Sequence, residues 1–230
     1  NNKASGKKKL KIKKGPNKYT WDMYYDGASD FDGMVLWWAS LNGPKAVPGD
    51  YFVELNVNGV VQAKSFKISI DPRSESSIKS MQEQFDFINS INKTMDKSHR
   101  SIKKIRSIKS QLLKFTSIYN QDNLSMLKEK ANELSDDLSK IEKALYQTQN
   151  RSGQDPLNFP IRLTNKLGHL NSLVSMGDFS PTEQDIAVKE YLTNQININL
   201  EIFDKLMIEE VKNFNKLFNN NKLNYLISIE

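Results

Sequence analysis

N-K-Y-T-W-D-M at residues 17–23, G-M-V-L-W-W at 33–38, A-V-P-G-D-Y at 46–51 and V-N-G-V at 57–60 are the segments that decide how this chain is read. Tyr19, Trp21 and Met23 alternate with Thr20, Asp22 and Tyr24, the two-residue period of a half-buried strand. Met34 to Ala39 is a continuous apolar run, which suits a central strand. Asn58-Gly59 takes the positive φ angles of a type I′ turn, whose twist matches the strands on either side of it. Counting outward from that turn sets Val57 opposite Val60 and Tyr51 opposite Phe66. Tyr51, Val53, Leu55 and Val57 then share a core face with Phe66, Ile68 and Ile70, while Gln62 and Lys64 on the same face call for a bulge or an exposed rim.

These segments make about five strands, against about seven in a complete immunoglobulin-like sandwich. Residues 1–71 are therefore expected to form an incomplete immunoglobulin-like antiparallel β-sandwich with strands missing upstream. Lys9, Lys11 and Lys13 alternating with Leu10 and Ile12 read as an edge strand whose lysines discourage further pairing. The chain opens Asn1-Asn2-Lys3 without Met, which reads as a piece of a longer polypeptide.

After Asp71 the apolar period changes from two to about three and a half. Ile78, Met81, Phe85, Ile88, Met95, Ile102, Ile105, Leu112 and Phe115 trace one long helix. Leu124, Leu127, Ala131, Leu134, Leu138, Ile141 and Leu145 trace a second at strict steps of three and four. A third carries Leu163, Leu167, Leu170 and Val174 and stops at Gly177. The fourth is expected to start from Ser180 as N-cap, with Pro181 at the first helical position and Glu183 closing a capping box. It continues through Tyr191, Leu192, Ile196, Leu200, Phe203, Leu206, Phe214 and Leu217. Four single-striped helices must bury their stripes against one another, so residues 72–222 are expected to form an antiparallel four-helix bundle. Residues 223–230 form a C-terminal tail. The fold class is thus α+β and multidomain.

Composition narrows the function classes. With no cysteine the chain has neither disulfides nor thiolate chemistry. No apolar run reaches the roughly 20 residues that span a bilayer, so no membrane span is expected. The net charge of +6 comes from the lysines between Lys3 and Lys14, beyond which the chain is nearly neutral, and a basic tail does not make a nucleic-acid interface.

N-K-Y-T-W-D-M-Y-Y-D-G-A, F-D-G-M-V-L-W-W, G-P-K-A-V-P-G-D-Y, V-N-G and D-P-R resemble the C-terminal region of bacterial BNR-repeat or sortilin-like β-propeller proteins, often labelled glycosyl hydrolases. Q-E-Q-F-D-F at 82–87, L-N-F-P-I-R-L-T-N-K-L at 157–167 and S-M-G-D-F-S-P-T at 175–182 extend the resemblance over nearly the whole chain. It implies an immunoglobulin-like module, similar to one in the flagellar hook-capping protein, that follows a propeller and leads into a helical tail. It also implies export to the periplasm, cell surface or medium, with the parent's propeller as partner. The propeller and its Asp-box repeats are absent here.

No catalytic residue, metal ligand set or cofactor motif stands out. The D-F-D-G piece lacks an EF-hand's first and twelfth ligands, which are Ala28 and Ala39. His99 and His169 are expected on helix surfaces, outside any metalloprotease or nucleophile-elbow pattern. Tyr24, Tyr25 and Trp38 are the candidate ligand-binding residues, since aromatic faces stack on pyranose rings. The reading is a non-catalytic accessory region that braces a propeller, forms a homodimer or presents a protein-binding face. A carbohydrate-binding or hydrolase-associated module is the alternative.

Overall fold

The computed structural model describes residues 12–119, 124–221 and Leu223. The expected lysine-rich strand lies outside them except for its last residues, and so does the tail beyond Leu223. Among the described residues the elements are strands β1 (Gly49–Val57) and β2 (Val60–Ile68), helices α1 (Ile78–Ile118), α2 (Ser125–Leu145), α3 (Leu163–Val174) and α4 (Glu183–Leu206), a π-helical turn Met207–Val211, and α5 (Lys212–Asn220).

The helical half follows its apolar pattern closely. α1 runs unbroken for 41 residues, about 60 Å, from a Ser77 cap whose hydroxyl accepts the Ser80 N–H. All seven seam residues of α2 are buried. The capping box at α4 sits two residues later than expected: Thr182 caps and Asp185 replies, which leaves Pro181 ahead of the helix, while Ser180 donates its hydroxyl to Glu83. Tyr191 is 65% exposed and belongs outside the seam. Buried Leu206 and Val211 are five residues apart, one more than a regular seam allows, and the π turn between them takes up the extra residue.

The bundle departs from four antiparallel helices. Lys189 of α4 lies over the Phe87 ring, and Phe214 and Phe218 of α5 pack on Phe115, so α1 and α4–α5 run parallel. Arg106 reaching Glu142 turns α2 back along the second half of α1, and Gln84 donating to the Val174 carbonyl turns α3 back along the first half. α2 and α3 therefore follow one another as a single interrupted rod between two continuous ones. Three rods share one core that includes Ile91, Met95, Ile105, Leu138, Leu167, Ile196 and Val211.

The sandwich expectation is overturned. Among the described residues the only sheet is the two-stranded β1–β2 hairpin, with an isolated bridge between Tyr24 and Lys45. Residues 29–42, including the expected central strand, form an irregular strap across the break between α2 and α3. A backbone segment packed on helices without a sheet needs other partners for its N–H and C=O groups. Helix side chains provide them. Asn165 accepts the Trp37 N–H at 2.8 Å and donates to the Trp37 carbonyl at 2.8 Å, as a neighbouring strand would. The Tyr146 hydroxyl accepts the Val35 N–H at 2.7 Å, and Asp96 accepts the Ser29 N–H at 2.7 Å. Asn171 donates to the carbonyls of Ser40 and Asn42, and Asn92 also donates to Asn42. Apolar continuity in 34–39 reflects partial burial against helices, and Phe31 enters the helical core itself.

Two glycine contacts let the strap close. The limbs around residues 23–28 and 41–46 hydrogen-bond to each other, and a Cβ on Gly27 would collide with the Leu41 carbonyl. On α3, a Cβ at Gly168 would stand 3.0 Å from the Ala39 Cβ, where the Ser40 N–H now donates to the Gly168 carbonyl.

Replacing Asn165 by Ala removes both of its bonds to Trp37 and leaves a half-buried peptide unit unpaired. Urea unfolding is expected to show a loss of about 2 kcal/mol. Asn219→Ala, on an exposed face, should change stability by less than about 0.5 kcal/mol. Equal effects of the two changes would contradict the role given to Asn165.

Candidate functional site

The hairpin is built as its sequence dictates. Asn58 and Gly59 both have positive φ, at 52° and 88°, and the pairing Val57↔Val60 and Tyr51↔Phe66 is the one counted from the turn. Partners in an antiparallel ladder point the same way, so Tyr51, Val53, Leu55, Val57, Val60, Phe66 and Ile68 share one face with Lys64 and Gln62, which stand opposite Val53 and Leu55 with no bulge between them. The other face mixes Asp50, Glu54, Asn56, Ser65 and Lys67 with Phe52, Val61 and Ala63. Only the base of the apolar face is covered: Trp21 packs on Tyr51 and Phe66, with ring centroids 6.0 and 6.4 Å apart. Toward the turn, Val53, Leu55, Val57 and Val60 are between 53% and 67% exposed. This half of the sheet has a core face and no core.

Beside the hairpin base, Tyr19, Trp21, Tyr24 and Tyr25 line a hollow of about 630 Å³ together with Asp22, Asp26 and Asp30. The Trp21 Nε1–H donates to the Tyr24 carbonyl at 2.9 Å, and Tyr25 stands edge-on to Phe85 of α1 at 4.9 Å, which fixes both rings. Tyr51 adjoins Tyr25, and burial, assisted by that neighbour, pushes its phenol up to about 12; the hydroxyl donates to the Val47 carbonyl. Of the three ligand-binding candidates, Tyr24 and Tyr25 meet in this hollow. Trp38 is not part of its lining and stands against Trp37, 73% exposed, with φ at 52°. A bulky side chain rarely adopts that backbone conformation.

His99 is not on a surface as its sequence context suggests. It is fully buried at the strap: Nδ1 faces the Ser29 carbonyl and must carry the proton to donate there, while Nε2 has no partner. Burial lowers its pKa, against the opposing pull of the Ser29 carbonyl and Asp96. For Asp96 burial acts to raise the pKa, but hydrogen bonds from Ser29, with Arg100 and His99 nearby, outweigh it and hold the carboxyl low. Asn92, Asn165 and Asn171 went unrecognised as strap clamps although each falls on the buried stripe of its helix, an unusual place for an amide.

Among the described residues no three His, Asp or Glu side chains gather where they could hold a metal ion, and no helix is long and apolar enough to cross a membrane. Asp32 faces a different cavity from Asp22, Asp26 and Asp30. No family model matches the chain, and neither a curated protein nor a solved structure matches it. The resemblance to BNR-repeat proteins thus rests on the quoted motifs alone.

His99 gives a pH signature. Its folded pKa lies below the unfolded value of about 6.5, so the unfolded chain binds the proton first as pH falls. Stability is fully present above about pH 6.5 and declines from there toward the lowered folded pKa. Unfolding free energies at intervals from pH 8 to 5 should show this decline, and His99→Gln should flatten it. An unchanged slope in the variant would contradict the assignment.

Proposed function

We propose that this chain is a non-catalytic interaction region whose uncovered hairpin face docks an apolar surface of a partner protein domain. One observation carries the reading. Four contiguous apolar side chains, Val53, Leu55, Val57 and Val60, project from one face of a two-stranded sheet with none of the described residues covering them. A lone hairpin is marginal in water, and an apolar patch on its ordered face marks a place of association. The opposite face is mixed, with exposed Phe52 and Val61 among Asp50, Glu54, Ser65 and Lys67, so the uninterrupted aliphatic run along β1 lies on one side alone.

The occupant we assign is the β-propeller of the parent polypeptide, exported with this region, as the motif resemblance implies. The aliphatic run on β1 favours an apolar flank, with Lys64 and Gln62 of β2 left at its edge. A second copy of the chain is the competing occupant and would reveal itself as a dimer.

A second reading has its own observation. The aromatic hollow combines stacking surfaces with carboxylates that accept hydrogen bonds from hydroxyl groups, the chemistry of carbohydrate binding. Tyr24 and Tyr25 would stack on the sugar. Trp38 would act separately.

A photo-reactive side chain at position 55, introduced in the producing cell, should cross-link to one polypeptide, while the same group at exposed Lys97 should not. Leu55→Asp should abolish that contact yet change the stability of the isolated chain by less than about 0.5 kcal/mol, because Leu55 is already 53% exposed. Equal cross-linking at both positions would contradict the docking face. Saturable glycan binding lost in Tyr24→Ala, with no cross-link at position 55, would favour the second reading.

A further inference from the structure

Where the strap crosses from α1 to the end of α2, a cavity of about 530 Å³ opens between Asp32, Gly33, Arg106, Lys109, Glu142, Lys143, Tyr146 and the loop residues Thr148, Asn150 and Arg151. Its charges do not balance. Glu142, with a side chain only 5% exposed, holds two cations at once: Arg106 Nε donates to Oε1 at 2.7 Å and Lys109 Nζ to Oε2 at 2.9 Å. Arg106 is further fixed by donating Nη1 to the Asp32 carbonyl and by lying 4.6 Å over the Phe31 ring. One buried carboxylate facing two held cations leaves a surplus positive charge beside it, and exposed Asp32 is the only other acidic residue on a lining that holds four cations.

Two more cations line the same space. Lys143 has no anionic partner among the described residues, and Arg151 spends Nη1 on the carbonyls of Thr148 and Asn150, which carry no net charge. The Asp155 carboxylate nearby accepts from the backbone N–H groups of Arg151 and Ser152 and from the Ser152 hydroxyl, and it attracts the Arg151 guanidinium without forming an ion pair with it. Asn150 provides an independent sign of a missing partner. It is 3% exposed, lines the cavity, and its buried Oδ1 makes no hydrogen bond. Leaving a buried amide oxygen unpaired is costly, and that cost lies in the wall of this cavity.

We propose that this cavity binds a small phosphate-class anion, free or as a phosphomonoester. Arg106, Lys109, Lys143 and Arg151 surround its charged oxygens. Arg106 is suited to this because its guanidinium is held in place before the ligand arrives, which limits the entropy lost on binding. Complementing the negative C-terminus of α2 accounts for Lys143 alone. It does not account for Arg106 and Lys109, which belong to α1, or for the unpaired Asn150.

The test is thermal unfolding of the whole chain at constant ionic strength, with chloride replaced stepwise by inorganic phosphate and, in a parallel arm, by glycerol phosphate. A saturable rise in Tm is expected within about 10 mM of at least one ligand, following ligand linkage to the folded state. Tighter binding of glycerol phosphate would identify an ester as the ligand, and equal binding the free ion. The double variant K143Q/R151Q should keep its Tm in chloride and lose the rise. Asn150→Asp, which adds a negative charge to the wall, should weaken binding at least about tenfold, and it serves as the test should the double variant not fold. No saturable rise with either ligand, or a rise undiminished in both variants, overturns the proposal.

Discussion

The structure depends on an irregular backbone segment, residues 29–42, being hydrogen-bonded by helix side chains in place of a sheet. Peptide groups buried without partners would cost more than the apolar contacts of the segment return. The amide of Asn165 reproduces both bonds that a neighbouring strand would make at Trp37, and Asn92, Asn171, Asp96, His99 and Tyr146 serve the rest of the strap. The strap in turn covers the interruption between α2 and α3. Without it Phe31 would leave the helical core, and the buried polar atoms on α1 and α3 would be orphaned.

Much of the helical half was legible because its signal is local. Steps of three and four place Leu127 through Leu145 on one side of α2 whatever the tertiary arrangement, and the Asn58-Gly59 pair fixes the hairpin register by its φ angles alone. The arrangement of the rods was not legible. An apolar stripe says that a helix face is buried but not against which partner, so α2 and α3 were read as two rods where they form one interrupted rod. The capping box was read in kind but placed two residues early, since Ser180, Thr182, Glu183 and Asp185 offer competing pairs within one turn.

The strap escaped for a related reason. Met34 to Ala39 has the composition of a buried strand, and periodicity cannot tell a sheet partner from a row of asparagines supplied from residues more than a hundred positions away. Signals were nonetheless present: Asn92, Asn165, Asn171 and Gly168 all interrupt buried helical stripes, and each marks a point where the strap touches down. Of the candidate site, the pairing of Tyr24 with Tyr25 was visible from adjacency, whereas the separation of Trp38 from them required the positive φ at that residue. The cavity at Glu142 assembles residues from three segments and had no sequence signature.

Rigid helices and strap, with a hairpin face left open beside them, give the molecule a firm base and a surface suited to association. Residue-resolved hydrogen exchange on the isolated chain tests this most directly. Amides of Val35, Trp37 and Ser40 should be protected to nearly the degree of α1 and α3, while those near the hairpin turn, residues 53–63, should exchange orders of magnitude faster. Protection of the hairpin together with rapid exchange along 35–40 would contradict the account, because it would mean that the sheet is the stable unit and the strap is not clamped.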